Sequence, residues 1–186
     1  MNITHKNISN GIKELSDSIN YFKQIKNIYK VIPECQTNFV FAEKHPKNIM
    51  DVLGISGRLV KSGKEIVTAG EIVYGGSQHV GTAVIQVNKK FPEIRSGLNI
   101  KYDTKIISTA KKAKFTVLRY DRNKEPKKSK QKENSSISWG ISNSLNAKSP
   151  DIIYHKGDLG KEPMILIFGK NPDEIIRKVS KLASFR

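Results

Sequence analysis

One histidine lies among small residues in the stretch YGGSQHVG, residues 74–81. Apolar residues recur at helical spacing after it, so the sequence predicts a helix over residues 79–91 with His79 near its N-terminus. The first turn of a helix has backbone N–H groups without intrahelical partners, and these groups favour an anion. The stretch therefore predicts a phosphate-handling site. The alternative is a glycine-rich turn that only reverses the chain.

An arginine stands in a second glycine-containing motif, GISGR, residues 54–58. The sequence predicts a short strand over residues 55–60, which places Arg58 inside a strand. If Arg58 points inward, it needs an anionic partner, because burial of an unpaired charge is costly. If it points outward, it belongs to an exposed strand face. The sequence leaves both orientations open.

Charged residues follow two further predicted strands, in the segments RYDRNKEP and HKGDLGKEP. Proteins of the α/β class often bind ligands at the carboxyl edges of their strands. In the second segment Gly157 and Gly160 bracket Asp158, and Lys161 follows, which predicts a turn with exposed N–H groups and one cation. We expect this turn to contact a substrate phosphate, with a purely structural turn as the alternative.

The other reactive side chains argue against several classes of site. The four histidines show neither an H-x-H nor an H-E-x-x-H spacing, and one cysteine cannot build a zinc ribbon. The sequence also contains neither a P-loop motif nor a serine-hydrolase elbow. The single cysteine, Cys35, excludes an internal disulfide, which fits a reducing, cytoplasmic location. Cys35 is either a nucleophile or, in the interpretation we prefer, a small buried thiol.

The chain has 186 residues, enough for one domain with a sizeable core. No apolar run approaches the ~20 residues that a membrane-spanning helix needs. The N-terminus also lacks the basic and then apolar profile of a secretory signal. We therefore expect no membrane association.

The charge of the chain is strongly positive: 33 Lys and Arg residues against 17 Asp and Glu residues give a formal net charge of +16. Twelve of these basic residues and three of the acidic ones lie in the basic segment, residues 101–132. Such an excess can bind nucleic acid, but this segment has only three aromatic residues and no RNA-binding signature. We expect a solvated surface, or a field that attracts polyanionic small substrates, rather than a nucleic-acid partner.

Hydrophobic periodicity predicts helices and strands in mixed order. The predicted elements are, in order, an amphipathic helix over residues 8–22, strands 37–42 and 55–60, helix 79–91, strand 98–102, helix 103–113, strand 114–120, an exposed loop or helix over 121–136, helix 138–147, strands 151–157 and 164–169, and a helix over 171–185 capped by Asn171. Several strand pairs lack an intervening helix. This order predicts an α/β domain with a substantial antiparallel component.

Seven motifs, in the order in which they occur, resemble the ThiN family of thiamine-phosphate synthases: IPECQTNFVFA, DVLGISGRLV, YGGSQHVG, FPEIRSGLNIKY, DRNKEP, SWG and PDIIYHKGDLGKEPMILIFGKNP. The resemblance extends from about Ile32 to the C-terminus. It implies that residues 1–186 form a single domain of this type, with residues 1–30 as an N-terminal helix or a linker from a fused kinase domain. The implied fold is a three-layer α/β/α arrangement around a mixed, mostly antiparallel sheet, similar to the class II aldolase/epimerase (AraD-like) fold.

The resemblance also implies a reaction. A transferase of this family joins hydroxymethylpyrimidine diphosphate to a thiazole phosphate and gives thiamine phosphate and pyrophosphate. An arginine and a histidine associated with activity in the family align with Arg58, which would clamp the diphosphate, and His79, which would donate a hydrogen bond or proton to the leaving group. Within these motifs we expect substrate binding by Asn38, Gly75, Gly76, Ser77, Asp121, Arg122, Asp158 and Lys161. Mg²⁺ is expected with the diphosphate, held largely by the substrate and water, with Asp121 and Asp158 as candidate contributors; its protein ligands are left open.

An alternative function follows from the same resemblance. Fused to a DNA-binding helix-turn-helix, the domain resembles the sensor half of thiamine-responsive repressors, which binds a thiamine phosphate without turnover. Both Arg58 and His79 are present here, and the first thirty residues predict one helix rather than a three-helix DNA reader. We therefore expect an enzyme with phosphorylated small-molecule substrates. The resemblance leaves open a fused pyrimidine kinase domain and a homo-oligomer as partners.

Overall fold

The computed structural model describes residues 2–126 and 135–183, with side chains described from Asn10 on. Residues 127–134 of the predicted exposed loop, of which 127–132 also belong to the basic segment, and residues 184–185 of the last predicted helix lie outside the described residues. The described part of the chain forms five α-helices and nine β-strands. They are, in chain order, α1 (Asn2–Gln24), β1 (Phe39–Ala42), β2 (Val52–Ile55), β3 (Leu59–Ser62), β4 (Glu65–Thr68), β5 (Ile72–Tyr74), α2 (Gln78–Asn88), β6 (Ser96–Lys101), α3 (Thr104–Lys112), β7 (Val117–Arg119), α4 (Ser135–Ser144), β8 (Ile152–His155), β9 (Met164–Gly169) and α5 (Pro172–Leu182).

Seven strands form one sheet in the order β5-β2-β1-β6-β9-β8-β7. Only the pair β7 and β8 is parallel among these strands, and the other neighbours are antiparallel. Strands β3 and β4 form a separate hairpin. The predicted mixed, mostly antiparallel sheet is confirmed.

The two faces of the sheet are covered by different helices. Successive side chains of a strand point to opposite faces, so Phe39 and Phe41 enter one core and Val40 and Ala42 the other. Helices α1, α3 and α5 pack on the first face, and α2 and α4 pack on the second. The predicted three-layer α/β/α arrangement is confirmed.

The terminal helices follow the predicted apolar pattern. In α1, Leu15, Ile19 and Phe22 are buried at helical spacing. In α5, the Asn171 side chain accepts a hydrogen bond from the Glu174 backbone N–H at 2.9 Å, and Pro172 occupies the first turn, as expected for a capped start. None of the described helices combines the length and the apolar composition that crossing a membrane requires.

The predicted strand over residues 55–60 is wrong. Strand β2 ends at Ile55, and the chain turns through residues 56–58 before β3 begins at Leu59. Arg58 has a φ of 77°, in the left-handed region that residues with a side chain rarely adopt and no strand contains. Arg58 therefore belongs to a turn, where it is exposed.

The strand ends determine where a site can form. Strands β1 and β9 begin, and strands β2, β6 and β8 end, at one edge of the sheet, because each neighbouring pair among them runs antiparallel. Residues just before β1, just after β2 and at the end of β8 therefore converge at this edge.

Candidate functional site

A cleft of about 730 Å³ opens at this edge of the sheet. Seven of the ten residues predicted to act in the site line it: Asn38, Arg58, Gly76, Ser77, His79, Arg122 and Lys161. They come from segments that are far apart in the sequence. The fold therefore brings together most of the residues that the motifs singled out.

The three other predicted residues lie beside this cleft. Gly75 belongs to the turn between β5 and α2, with a φ of 75°. Asp121 and Asp158 line an adjoining hollow of about 650 Å³, to which Arg122 and Lys161 also contribute. The carboxylate of Asp121 accepts a hydrogen bond from the Asn123 N–H at 3.0 Å, and that of Asp158 accepts one from the Leu159 N–H at 2.8 Å. Both acids thus stabilise local turns, and their contact with substrate stays a prediction.

The N-terminus of α2 borders the cleft, as the sequence predicts. Ser77 is the N-cap residue, but its side chain makes no capping hydrogen bond to the helix. His79 is the second residue of α2, and residues 76–80 all line the cleft. The positive end of the α2 dipole therefore faces the space where a ligand would bind.

His79 is held in its neutral form. The side chain is only partly buried, but its Nε2 is sealed from solvent and has no hydrogen-bond partner among the described residues. Burial lowers the pKa of His79 to about 4, and the nearby charges of Arg122, Arg58 and Lys161 lower it further in the same direction. At neutral pH the ring can donate one hydrogen bond but does not carry a spare proton.

Arg58 reaches the cleft from the turn after β2. Its Nη1 donates a hydrogen bond to the Cys35 carbonyl oxygen. The peptide on the other side of Cys35 is held by the Glu162 carboxylate, which accepts from the Glu34 N–H at 2.9 Å and from the Cys35 N–H at 3.0 Å. The segment before β1 is therefore fixed between Arg58 and the loop that contains Glu162.

Cys35 lines the cleft as a neutral thiol. Partial burial raises its pKa to about 11, and the neighbouring Glu162 carboxylate adds to the rise. Because the thiolate is the nucleophilic form, this environment argues against the interpretation of Cys35 as a nucleophile. The thiol is half-buried rather than fully buried.

The prediction that residues 121–136 are exposed is wrong for two residues near the start of this segment. Arg122 is 4% exposed and Glu125 is 6% exposed. Arg122 begins a short 3-10 turn, Glu125 directly follows that turn, and the Arg122 Nη2 lies 3.7 Å from the Glu125 Oε2. Charged residues can be buried here because they offset each other, which the composition of the segment did not reveal.

The site also contains a residue that the sequence did not single out. His155 ends β8, is 2% exposed and lines the cleft. Its Nδ1 accepts a hydrogen bond from the Gly157 N–H at 3.1 Å, and its ring lies 5.1 Å from that of Tyr120 between centroids. Burial lowers the pKa of His155 to about 3, and Arg122 and His79 act in the same direction. The available signal was its place at a strand end, directly before the glycine-containing loop.

A turn forms after β8 as predicted, but its N–H groups are not free as expected, because most of them donate hydrogen bonds within the loop or to the end of β8. Gly157 and Gly160 both have positive φ values, and Asp158 and Lys161 exchange backbone hydrogen bonds of 3.1 and 2.8 Å. The Lys161 Nζ donates to the Ser136 Oγ at 3.2 Å, which places the ammonium group at the cleft wall. Contact between this turn and a phosphate stays a prediction.

Asn38 lies on the cleft wall with its amide already engaged. Its Nδ2 donates to the Ile55 carbonyl oxygen at 2.7 Å, and its Oδ1 accepts from the Ile55 N–H at 3.1 Å. The side chain therefore joins the start of β1 to the end of β2. This is a structural reason for an asparagine at the position, whether or not a substrate also touches it.

The described residues do not provide a metal cage. No group of three or more His, Cys, Asp or Glu side chains among them is arranged to hold a metal ion. At the cleft, both oxygens of Glu162 accept backbone hydrogen bonds, and the other charged groups on the wall are cations. A magnesium ion here would need most of its oxygen ligands from the bound substrate and from water.

The arrangement is suited to a polyanion. Three cations, Arg58, Arg122 and Lys161, and one helix N-terminus face a single cleft. Four buried polar atoms around it lack a hydrogen bond of standard geometry within the described part of the chain, namely His79 Nε2, Tyr120 OH, Arg122 Nε and Glu125 Oε2. Buried polar groups normally have partners, so these atoms indicate a place for ligand or water.

Comparisons with known proteins agree on one family. Residues 14–181 match the family described as thiamine-phosphate synthase ThiN. The chain is 37% identical over 154 residues to thiamine-phosphate synthase ThiN of Methanothermobacter thermautotrophicus, which covers 82% of this chain and 81% of the relative. It is also 37% identical over 183 residues to the bifunctional thiamine biosynthesis protein ThiDN of Methanocaldococcus jannaschii, covering 96% of this chain but only 42% of that longer protein.

Solved structures show the same relationship. The C-terminal domain of a phosphomethylpyrimidine kinase is similar with a TM-score of 0.89 and 40% identity, covering 94% of this chain and 99% of that domain. An aldolase II superfamily protein from Pseudomonas syringae is similar with a TM-score of 0.56 and 13% identity, covering 96% of this chain and 75% of the other. The second likeness concerns the fold alone, and it agrees with the fold that the sequence predicts.

Proposed function

The chain belongs to the ThiN family of thiamine-phosphate synthases, and on that premise we propose that its cleft joins hydroxymethylpyrimidine diphosphate to a thiazole phosphate. The protein is a transferase that produces thiamine phosphate and releases pyrophosphate. In this reaction a bond forms between the thiazole nitrogen and the methylene carbon of the pyrimidine. The bond between that carbon and the diphosphate oxygen breaks.

One observation supports this assignment of the cleft above the others. Arg58, Arg122, Lys161 and the N-terminus of α2 converge on a space large enough for two small phosphorylated molecules. Negative charge builds up on the diphosphate as its bond to carbon breaks. Cations and N–H donors that are already in place stabilise that charge without reorganising, which is usually the largest single contribution to such catalysis.

Arg58 binds the diphosphate in this proposal. Within the described residues its Nη1 donates to the Cys35 carbonyl oxygen, and its other guanidinium N–H groups are left for phosphoryl oxygens. The bond to Cys35 orients the guanidinium, so little side-chain freedom is lost when the substrate binds.

His79 donates a hydrogen bond to the leaving group. Its lowered pKa makes the neutral ring the resting form, so transfer of a proton requires that the bound diphosphate first raise this pKa. A diphosphate near Arg58, Arg122 and Lys161 offsets the charges that hold the pKa down. Substrate binding and protonation of His79 are therefore linked.

Magnesium accompanies the diphosphate in this proposal. A divalent cation supplies charge neutralisation of the phosphoryl oxygens, and the residues at the cleft are compatible with an ion held mainly by substrate and water. The chain's own residues bind and orient the phosphoryl groups.

The relatives support catalysis rather than ligand sensing. Both curated relatives have names that describe thiamine biosynthesis, and one of them is named as a synthase. The longer bifunctional relative and the kinase whose C-terminal domain is similar suggest that a pyrimidine kinase works together with this chain, fused to it or separate.

The proposal is tested by product formation. The purified chain, both phosphorylated precursors and Mg²⁺ are incubated together, and thiamine phosphate and pyrophosphate are quantified over time. We expect the two products in equal amounts, with none when either precursor is omitted. Tight binding of thiamine phosphate without any turnover would favour the sensor function instead.

A further inference from the structure

A buried carboxylate lies directly behind the cationic wall of the cleft. The side chain of Glu125 is 1% exposed, and the residue does not itself line the cleft. A carboxylate in such a place is costly unless partners stabilise its charge. Its partners are therefore informative about its role.

Glu125 connects to two cations by different routes. Its Oε1 accepts a hydrogen bond from the Ser136 hydroxyl, and the Ser136 Oγ in turn accepts one from the Lys161 Nζ at 3.2 Å. Its Oε2 lies 3.7 Å from the Arg122 Nη2. One carboxylate thus contacts Arg122 directly and Lys161 through Ser136.

Three segments that are distant in the sequence meet at this carboxylate. Arg122 comes from the 3-10 turn after β7, Ser136 from the first turn of α4, and Lys161 from the loop after β8. A lysine has a long side chain with many rotamers, so its ammonium group is positioned only where a partner holds it. Ser136 is the partner that does so in this structure.

Two buried polar atoms of this cluster make no hydrogen bond to the described part of the chain. The Arg122 Nε and the Glu125 Oε2 have no hydrogen bond within the described part of the chain, although both atoms are buried. Arg122 therefore keeps a donor for a ligand while Glu125 holds the charge of its guanidinium in place.

We propose that Glu125 is a positioning residue that sets the distance between Arg122 and Lys161, so that both cations meet phosphoryl oxygens of one bound anion. The inference rests on the proposed function and adds to it a residue that does not touch substrate. Ser136 transmits the effect of Glu125 to Lys161. The ligand class is a phosphorylated or diphosphorylated small molecule.

A double-mutant cycle on Ser136 and Lys161 tests whether Ser136 positions the Lys161 ammonium group. Ser136→Ala removes the hydroxyl without changing any charge, and we expect kcat/KM to fall roughly tenfold because Lys161 is no longer positioned. In a Lys161→Ala background the same change should cost no more than about twofold, because the group it positions is gone. Ser136→Thr keeps a hydroxyl and should restore most of the lost activity.

A second variant tests the carboxylate itself. Glu125→Gln keeps the shape of the side chain and removes its charge. If Glu125 positions the cations, kcat/KM falls by roughly tenfold or more although the cleft becomes more positive. If Glu125 only offsets charge, pyrophosphate binds more tightly and turnover is unchanged, which would overturn the proposal.

The measurements separate this inference from the proposed function. Pyrophosphate affinity of the wild-type chain and of each Ser136 and Lys161 variant is measured by calorimetry alongside turnover. If the wild-type chain forms no thiamine phosphate, the proposed function fails, and the cycle in pyrophosphate affinity still decides the inference. Equal effects of Ser136→Ala in both backgrounds, or no effect in the wild-type background, would refute it.

Discussion

His79 is the residue whose chemistry depends most on what occupies the cleft. Burial and the charges of Arg122, Arg58 and Lys161 hold its pKa at about 4 in the free protein. A bound diphosphate brings negative charge next to those three cations. The reason for the low pKa is then partly removed, and the protonated ring becomes more favourable.

We predict that pyrophosphate raises the pKa of His79 by about one unit or more, equivalent to ~1.4 kcal/mol of coupling. In the free protein the His79 ring is neutral above about pH 4. Because the bound anion raises this pKa, pyrophosphate binding between about pH 4 and neutrality is accompanied by uptake of protons. Histidine ring signals are followed by NMR across pH, with and without pyrophosphate, and His79→Gln identifies the signal. The exposed His45, outside the cleft, is the internal reference. An unchanged titration midpoint would show that the anion does not bind near His79.

The residues that line the cleft could be predicted from the sequence only where a motif contained them. Arg58 and His79 were found because glycines surround them in two motifs, and both line the cleft. His155, Glu162 and Ser136 were missed because their importance arises from contacts across the fold. The burial of Arg122 and Glu125 was missed for a related reason, since a charged segment looks solvated until its internal pairing is known.

At the scale of elements, the loop at residues 157–163 determines how Lys161 and Glu162 face the cleft. Both of its glycines have positive φ, but their surroundings differ. A Cβ on Gly157 would lie 2.4 Å from the Lys161 carbonyl oxygen, whereas a Cβ on Gly160 would have nothing within 4 Å. The two positions share the conformational cost of a side chain and differ in steric room.

We predict that Gly157→Ala lowers kcat/KM by roughly tenfold or more, because the clash displaces the loop that presents Lys161 and Glu162. Gly160→Ala is the matched control, and its cost should be limited to the ~1–2 kcal/mol of a left-handed alanine, without a large loss of activity. Activity and thermal unfolding are measured for both variants. Equal losses of activity would mean that the loop does not position the site.

Helices and long buried strands could be predicted well because their periodicity is strong. The helices α2, α3 and α5 and the strand β9 lie close to the predicted ranges, whereas α1 begins at Asn2 rather than at Ile8. The hairpin of β3 and β4 was missed, since the prediction joined the end of β2 to the start of β3. The turn between them depends on the left-handed φ of Arg58, a conformation that the sequence does not indicate.

At the scale of the whole molecule, the net charge of +16 is larger than the site requires. Three cations, which come from distant parts of the chain, line the cleft. The remaining positive charge raises the local concentration of anions around the protein, an effect that salt screens with a Debye length of about 8 Å at 0.15 M.

We predict that kcat/KM for the pyrimidine diphosphate declines mildly as salt rises, while RNA binding is weak at ~0.15 M salt. A surface built to bind RNA would instead show high affinity and a loss of log K of ~0.7 for each phosphate neutralised on a single strand. Filter binding with a structured RNA is measured beside turnover at two salt concentrations. Submicromolar RNA binding that survives physiological salt, with no thiamine phosphate formed, would contradict the enzyme assignment.

The most direct test of the account is turnover by Arg58→Ala and His79→Ala beside the wild-type chain. Each variant removes one group that we place against the departing diphosphate, and such a loss costs roughly 10²-fold in kcat. Circular dichroism and thermal unfolding establish that both variants are folded. We expect each folded variant to form thiamine phosphate at least roughly 10²-fold more slowly than the wild-type chain. Near-normal rates in both folded variants would contradict the assignment of this cleft as the active site.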